Sequence, residues 1–160
     1  MTHPPKPRAE IALPATGHSL PLSLIRAREA VMAPIRKMLL KAGITEQQWR
    51  VLRVLSEDGS VDAGSLARRA GLMSPSLTRI IQSMETNGLV TRQPDAQDRR
   101  RQHIAITQRG QAIIDAHMSE ATDIAAYYRD VLGDADHDRL IELLQRLARS
   151  IEEQDPVAQK

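Results

Sequence analysis

The 160-residue chain contains no cysteine. A disulfide framework, a thiolate metal site and thiol nucleophilic chemistry are therefore excluded. Phenylalanine is also absent, and one Trp and two Tyr bring the aromatic share to only 2%. The core must then come from Leu, Ile, Val, Ala and Met, a set that suits helices better than sheets. Long apolar runs are missing too, which excludes a membrane-spanning helix. Residues Met1 to Gly17 lack the apolar centre of a secretory signal, so a cytoplasmic location is the expectation.

Catalytic constellations are equally scarce. His3, His18, His103, His117 and His137 are widely separated and lack metal-ligand spacing. There is no P-loop, no dinucleotide loop and no nucleophile motif. No catalytic residue, metal or cofactor is expected. Excess charge of one sign is small as well, at a formal net +2, but its placement is uneven. From Arg50 to Gly110, ten arginines stand against six acidic residues, whereas acids outnumber bases after Asp115. A basic middle and an acidic end fit a polyanion-binding lobe joined to a separate lobe.

What is present falls into five stretches. Residues 1–19 carry Pro4, Pro5, Pro7 and Pro14 and read as a flexible tail, as do residues 155–160. Residues 20–44 form a first helical region with Leu22, Ile25, Met32, Ile35 and Leu39 at helical spacing. Pro34 lies inside that pattern and is expected to kink the helix or divide it. Residues 45–107 form a winged helix-turn-helix, and residues 108–154 a pair of C-terminal helices. The apolar stripes of the first and last regions are longer than the central module needs. They suit a helical homodimer, or alternatively an intramolecular bundle.

The central region is the most specific. Thr45 to Gln48 match a capping box, with Trp49, Leu52 and Leu55 toward the core. Val61-Asp62 leads into a short helix through Leu66, Ala67 and Ala70, and Gly71 makes the turn. Ser74 is the expected cap of the next helix, with Pro75 in its first position. Leu77, Ile80, Ile81 and Met84 supply its buried side. A strand from Leu89, a loop over Gln93–Arg101 and a return through Gln102–Ile106 make a hairpin. Thr107 then caps a helix expected over Gln108–Asp130, with Ala112, Ile113, Ala116, Ile124 and Tyr127 as contacts. Gly133 breaks the chain before the last helix.

This order points to double-stranded DNA. Ser74, Ser76, Thr78, Arg79 and Gln82 are the candidate reading residues, because Arg reads guanine, Gln reads adenine and hydroxyls reach phosphate or base edges. Arg68 and Arg69 on the preceding helix are candidates for phosphate, or for surface ion pairs. At the hairpin tip, Asp98 is expected to pin Arg100 for a narrow minor groove, leaving Arg99 and Arg101 for phosphates.

These residues resemble the MarR family of bacterial transcriptional regulators. The likeness spans Leu20 to Glu152. It is carried by Leu66-Ala67, Ser76–Arg79, Gly88-Leu89-Val90, Asp98-Arg99-Arg100 and Ile104–Gly110. The resemblance implies a mainly α fold with a small β-wing, a winged helix-turn-helix in a helical homodimer, operator binding and release by small aromatic acids or phenols. Leu24–Ala30, Ile44–Arg50 and Pro75–Thr78 further resemble family members governing homoprotocatechuate degradation.

A ligand site follows from that resemblance. Arg28 is expected to meet an aromatic carboxylate such as 3,4-dihydroxyphenylacetate, with Trp49 flanking the ring, Arg50 nearby and His18 as a more distant member. Trp49 as plain core, and Arg28 or Arg50 in dimer salt bridges, are the competing assignments. The leading function is a repressor released by an aromatic acid. A ligand-independent activator or architectural DNA binder, and a winged-helix protein-interaction module, are the alternatives.

Overall fold

The structure, a computed structural model, describes residues 15–94 and 102–154. The chain divides at Ala33–Pro34 into two compact units. The first contains a 3-10 turn, Thr16–His18, and the opening turns of α1 (Leu20–Ala42). Of the two effects expected of Pro34, division does not occur: α1 is continuous through it. The carbonyl of Ala30 simply lacks the N–H that a proline cannot supply. Gly43, at φ 66°, ends the helix.

In the second unit the chain continues through α2 (Glu46–Asp58), β1 (Ser60–Asp62), α3 (Ala63–Ala70) and α4 (Ser74–Thr86). It then forms β2 (Val90–Pro94), β3 (Gln102–Ile106), α5 (Gln108–Leu132) and α6 (Asp134–Gln154). The capping box at Thr45 is present: its hydroxyl accepts from Gln48 N at 3.1 Å, and Gln48 returns the bond at 2.9 Å. Trp49, Val51, Leu52, Val54 and Leu55 are all buried, so α2 is enclosed on more than one face. Around it pack Leu66 of α3, Leu77, Ile81 and Met84 of α4, and Ile114 of α5.

The wing is a sheet of three antiparallel strands in the order β1-β3-β2. Val61 pairs with Ile104, and Val90 with Ile106. The β1 strand was not expected. Three residues are too few to show an alternating pattern, and only pairing with β3 makes Ser60–Asp62 extended. Asp62 then changes role at the strand's end and caps α3, accepting from Ser65 N at 3.0 Å.

Two further expectations are corrected. Ser74 is the first residue of α4 rather than its cap; Met73 occupies the cap position and makes no side-chain cap bond. Pro75 supplies the second residue of the turn instead, with no N–H to satisfy. Along α5, Ala112, Ala116 and Tyr127 are exposed, while Gly110 and Ile114 are buried and Met118 and Ala121 pack against the core. Ile113 and Ile124 pack against the core as expected, and the first turn of α5 is anchored. Thr107 Oγ1 accepts from Gly110 N at 3.1 Å and donates to the Gly88 carbonyl at 2.7 Å. Gly110 presses against the Leu89 carbonyl, Ile106 and Leu52 so closely that a methyl group there collides with backbone. α6 buries none of its residues within one chain, and Leu140, Ile141, Leu143 and Leu144 remain exposed.

Gly110→Ala is expected to cost about 2–3 kcal/mol through overpacking, read as a lower urea midpoint. A second expectation concerns acid. The Ser65 backbone N–H, followed by its hydroxyl, holds the Asp62 carboxyl below its ordinary value of 3.8. A depressed folded pKa stabilises the protein fully above 3.8, and the contribution fades as pH falls through the lower folded value. Asp62→Asn should keep the cap at neutral pH yet flatten this acid dependence, whereas Asp62→Ala should lose about 1 kcal/mol at pH 7. Urea midpoints measured from pH 7 down to pH 3 separate the two.

Candidate nucleic-acid interface and adjoining cavity

The geometry of α4 divides it cleanly. Leu77, Ile81 and Met84, spaced by four and three residues, are buried, while Ser74, Ser76, Thr78, Arg79 and Gln82 are exposed. Arg79 has no ion pair among the described residues, so its guanidinium donors are open to an acceptor from outside. The Thr78 hydroxyl donates to the Ser74 carbonyl at 3.1 Å. Its proton is thus engaged, and its oxygen is left as an acceptor.

The preceding helix is held against this one by the turn. Leu72 N donates to the Ala67 carbonyl at 2.8 Å, and Gly71 takes the left-handed conformation at φ 61° that the turn needs. Arg50 Nη1 donates to the Gly71 carbonyl at 3.1 Å and ties α2 to that turn. On α3 the two adjacent arginines differ. Arg68 is exposed and donates to Ser65 Oγ at 3.0 Å. Arg69 is paired with Asp58 and, at 3.5 Å, with Glu57. The ion-pair alternative for Arg69 is therefore realised.

The wing's paired region ends at Pro94↔Gln102. Asp98, Arg99, Arg100 and Arg101 lie outside the described residues. A contact that sequence reasoning missed sits at the wing's base. Arg92 Nε lies 3.2 Å from Glu85 Oε2, joining β2 to the end of α4. Its signal was the seven-residue separation across the Asn87-Gly88 turn, which is visible only once that turn is folded.

Beside α2 is a cavity of about 320 Å³, within the range of small-molecule sites. Ile35 and Met38 of α1, Trp49 and Arg53 of α2, and Met118 and Tyr128 of α5 form its walls. Trp49 is both core and wall: it is buried, yet one side of it faces the cavity. Burial, with Tyr127 second, pushes the Tyr128 phenol above its usual pKa, so it stays a neutral donor. The cation at this wall is Arg53; Arg50, expected beside Trp49, donates to the Gly71 carbonyl and lines a neighbouring groove together with Trp49. Arg53 Nη1 donates to Met118 Sδ at 3.4 Å, and Nη2 to Glu57 Oε1 at 3.0 Å.

Arg53 lies one turn beyond Trp49 on the same helix face, a spacing the sequence displayed but which did not single it out. Arg28 and His18 belong to the first unit and are not among the cavity's lining residues; Arg28 Nη1 donates to Glu29 Oε1 at 3.1 Å. Among the described residues, no cluster of His, Asp or Glu is arranged to hold a metal. No described helix is long and apolar enough to cross a membrane.

Comparison with known proteins agrees with this arrangement. The MarR family's sequence profile matches residues 44–101. The HTH-type transcriptional regulator FarR of Neisseria gonorrhoeae is 37% identical over 131 residues, covering 82% of this chain and 90% of the relative. The homoprotocatechuate degradative operon repressor of Escherichia coli is 41% identical over 113 residues, or 71% of this chain and 74% of the relative. Among solved structures, NadR in complex with 4-hydroxyphenylacetate superposes with a TM-score of 0.73 at 35% identity, covering 88% of this chain and 96% of that one. The exposed reading helix, the sheet of the wing and these likenesses lead to one conclusion: the chain belongs to the MarR family and is a winged-helix DNA-binding transcriptional regulator, not an enzyme.

Proposed function

We propose that this regulator is a homodimeric, cytoplasmic repressor that leaves its operator when a small aromatic carboxylic acid binds the Trp49 cavity. The carrying observation is the position of α2. Trp49 and Arg53 wall the cavity, while Arg50 on the same helix holds the Gly71 carbonyl at the helix-turn-helix. A ring against an indole and a carboxylate against a guanidinium match the chemistry of a hydroxyphenylacetate. Benzene occupies a cavity of about 150 Å³, so a substituted ring fits the 320 Å³ present. The likeness to a repressor of homoprotocatechuate degradation, and to a regulator crystallised with 4-hydroxyphenylacetate, supports that ligand class.

The dimer is supported by α6. Its leucines Leu140, Leu143 and Leu144 form an apolar stripe that one chain leaves in water, and a second copy covers such a stripe by symmetry. Two copies of α4 then address successive major grooves. In this reading Ser76, Thr78, Arg79 and Gln82 meet base edges or phosphates. Ser74, Arg68 and Arg69 add phosphate contacts, and Arg99, Arg100 and Arg101, with Asp98 orienting Arg100, serve the minor groove and flanking phosphates.

The direct measurement is fluorescence anisotropy of the duplex upstream of the gene itself, with and without 3,4-dihydroxyphenylacetate or 4-hydroxyphenylacetate. The expected outcome is salt-sensitive, specific binding that either acid weakens by about 5–150-fold. Specific binding indifferent to both acids would favour the ligand-independent regulator instead. Arg79→Ala should erase about 1–3 kcal/mol of discrimination between the operator and a scrambled duplex. Equal loss on both duplexes would reassign Arg79 to a phosphate. Arg53→Ala should cut the response of operator binding to acid by about tenfold, the loss of one charge-assisted pair.

A further inference from the structure

We infer that Glu57 couples the Trp49 cavity to the helix-turn-helix by sharing one carboxylate between Arg53 and Arg69. The inference rests on the reading that the cavity takes an aromatic acid, and it names the route from that acid to DNA.

The geometry is that of one acceptor between two donors. Glu57 Oε1 accepts from Arg53 Nη2 at 3.0 Å, and Glu57 Oε2 from Arg69 Nη2 at 3.5 Å. Arg53 is a wall of the cavity, whereas Arg69 is on the first helix of the DNA-binding pair and is also held by Asp58. These side chains border an open groove of about 380 Å³ on the other side of Trp49, which leaves them room to exchange partners.

Arg53 is poised to respond to an anion. Its Nη1 is satisfied only by the thioether of Met118 at 3.4 Å, and a thioether is a weak acceptor. A carboxylate entering the cavity is a far better one and takes the guanidinium in a forked, charge-assisted pair. Arg53 then turns toward the ligand and loosens its bond to Glu57.

Among the described residues, the other cation paired with the Glu57 carboxylate is Arg69. Its bond to Arg69 is at the long limit for a hydrogen bond, so it tightens when the competing donor leaves. Glu57 and Asp58 together clamp Arg69 and neutralise a positive charge that the DNA-bound form directs at a phosphate. DNA affinity falls. By reciprocity, DNA that draws Arg69 away returns Glu57 to Arg53 and weakens acid binding. The pairs are about 40–50% exposed, so each contributes little to folding, and the coupling they transmit is about threefold to fivefold.

The test uses the full chain with 4-hydroxyphenylacetate as the probe. Trp49 is the one tryptophan in the sequence, so its fluorescence reports acid binding at the cavity directly. Operator affinity is read in parallel by anisotropy, and circular dichroism checks the fold of Glu57→Gln and of Glu57→Ala as a second variant. Both should bind the acid as tightly as the parent or up to about threefold more tightly, because Arg53 no longer has a competing acceptor. Both should nonetheless lose about threefold to fivefold of the acid's effect on DNA. A merely structural role would weaken acid binding and DNA binding together. Undiminished relief of DNA binding in the variants, or weaker acid binding, overturns the coupling. A parent protein whose Trp49 fluorescence ignores the acid overturns the ligand reading, and the coupling falls with it.

Discussion

The first turn of α5 sits against the backbone that links the recognition helix to the wing, and the rest of the second unit depends on that approach. Thr107 donates its hydroxyl to the Gly88 carbonyl and its N–H to the Leu89 carbonyl, while Gly110 removes the side chain that would keep the two backbones apart. One crossing thereby fixes the end of α4, the start of β2, the end of β3 and the rotational phase of α5. The phase then decides which residues of α5 face α2. Ile114 enters the core, and Met118 and Tyr128 come to the cavity. A small residue at one position thus connects the helix-turn-helix and wing to the helices that wall the cavity.

Electrostatics divides the arginines by task rather than by location. Arg79 is left without an ion pair among the described residues, on an exposed helix face, in a state that suits a polyanion. Arg92 is tied to Glu85 at the wing's base, between β2 and the end of α4. Arg50 works as a strut, its guanidinium spent on a backbone carbonyl. Arg53 and Arg69 share their acids, which leaves both able to change partners at little cost. The formal net charge of +2 conceals all of this. Function in this molecule follows from which cations are engaged, and by what.

Much of the architecture was legible in the sequence because it rests on local rules. Thr45 and Gln48 close a box within one turn of helix, Gly43 and Gly133 end helices, and Thr107 opens α5. The alternation of buried Leu77, Ile81 and Met84 with exposed Ser76, Arg79 and Gln82 needs only a period of 3.6. The misreadings share a different origin. Ser74 matched a cap by residue type, but the helix already begins at Ser74, and Met73 holds the cap position with no side-chain bond. Ser60–Asp62 became a strand through a partner more than forty residues away, and Asp62 became a cap once that strand ended.

By itself, the sequence determined the helical class, the order of the helices, the β2–β3 hairpin, the exposed face of α4 and the family, because caps, turns, periodicity and motif spacing act over a few neighbouring residues. Only the tertiary structure decided how the two cations beside Trp49 divide their contacts. Arg50 and Arg53 are both near it in sequence, and α2 turns one toward the Gly71 carbonyl and the other toward the cavity. Tertiary packing likewise decided that Glu57 stands between Arg53 and Arg69, since α2 and α3 must first be packed side by side. The physical reason is the same in each case. A helix's period tells which residues share a face, but what that face meets is set by contacts between segments far apart in the chain.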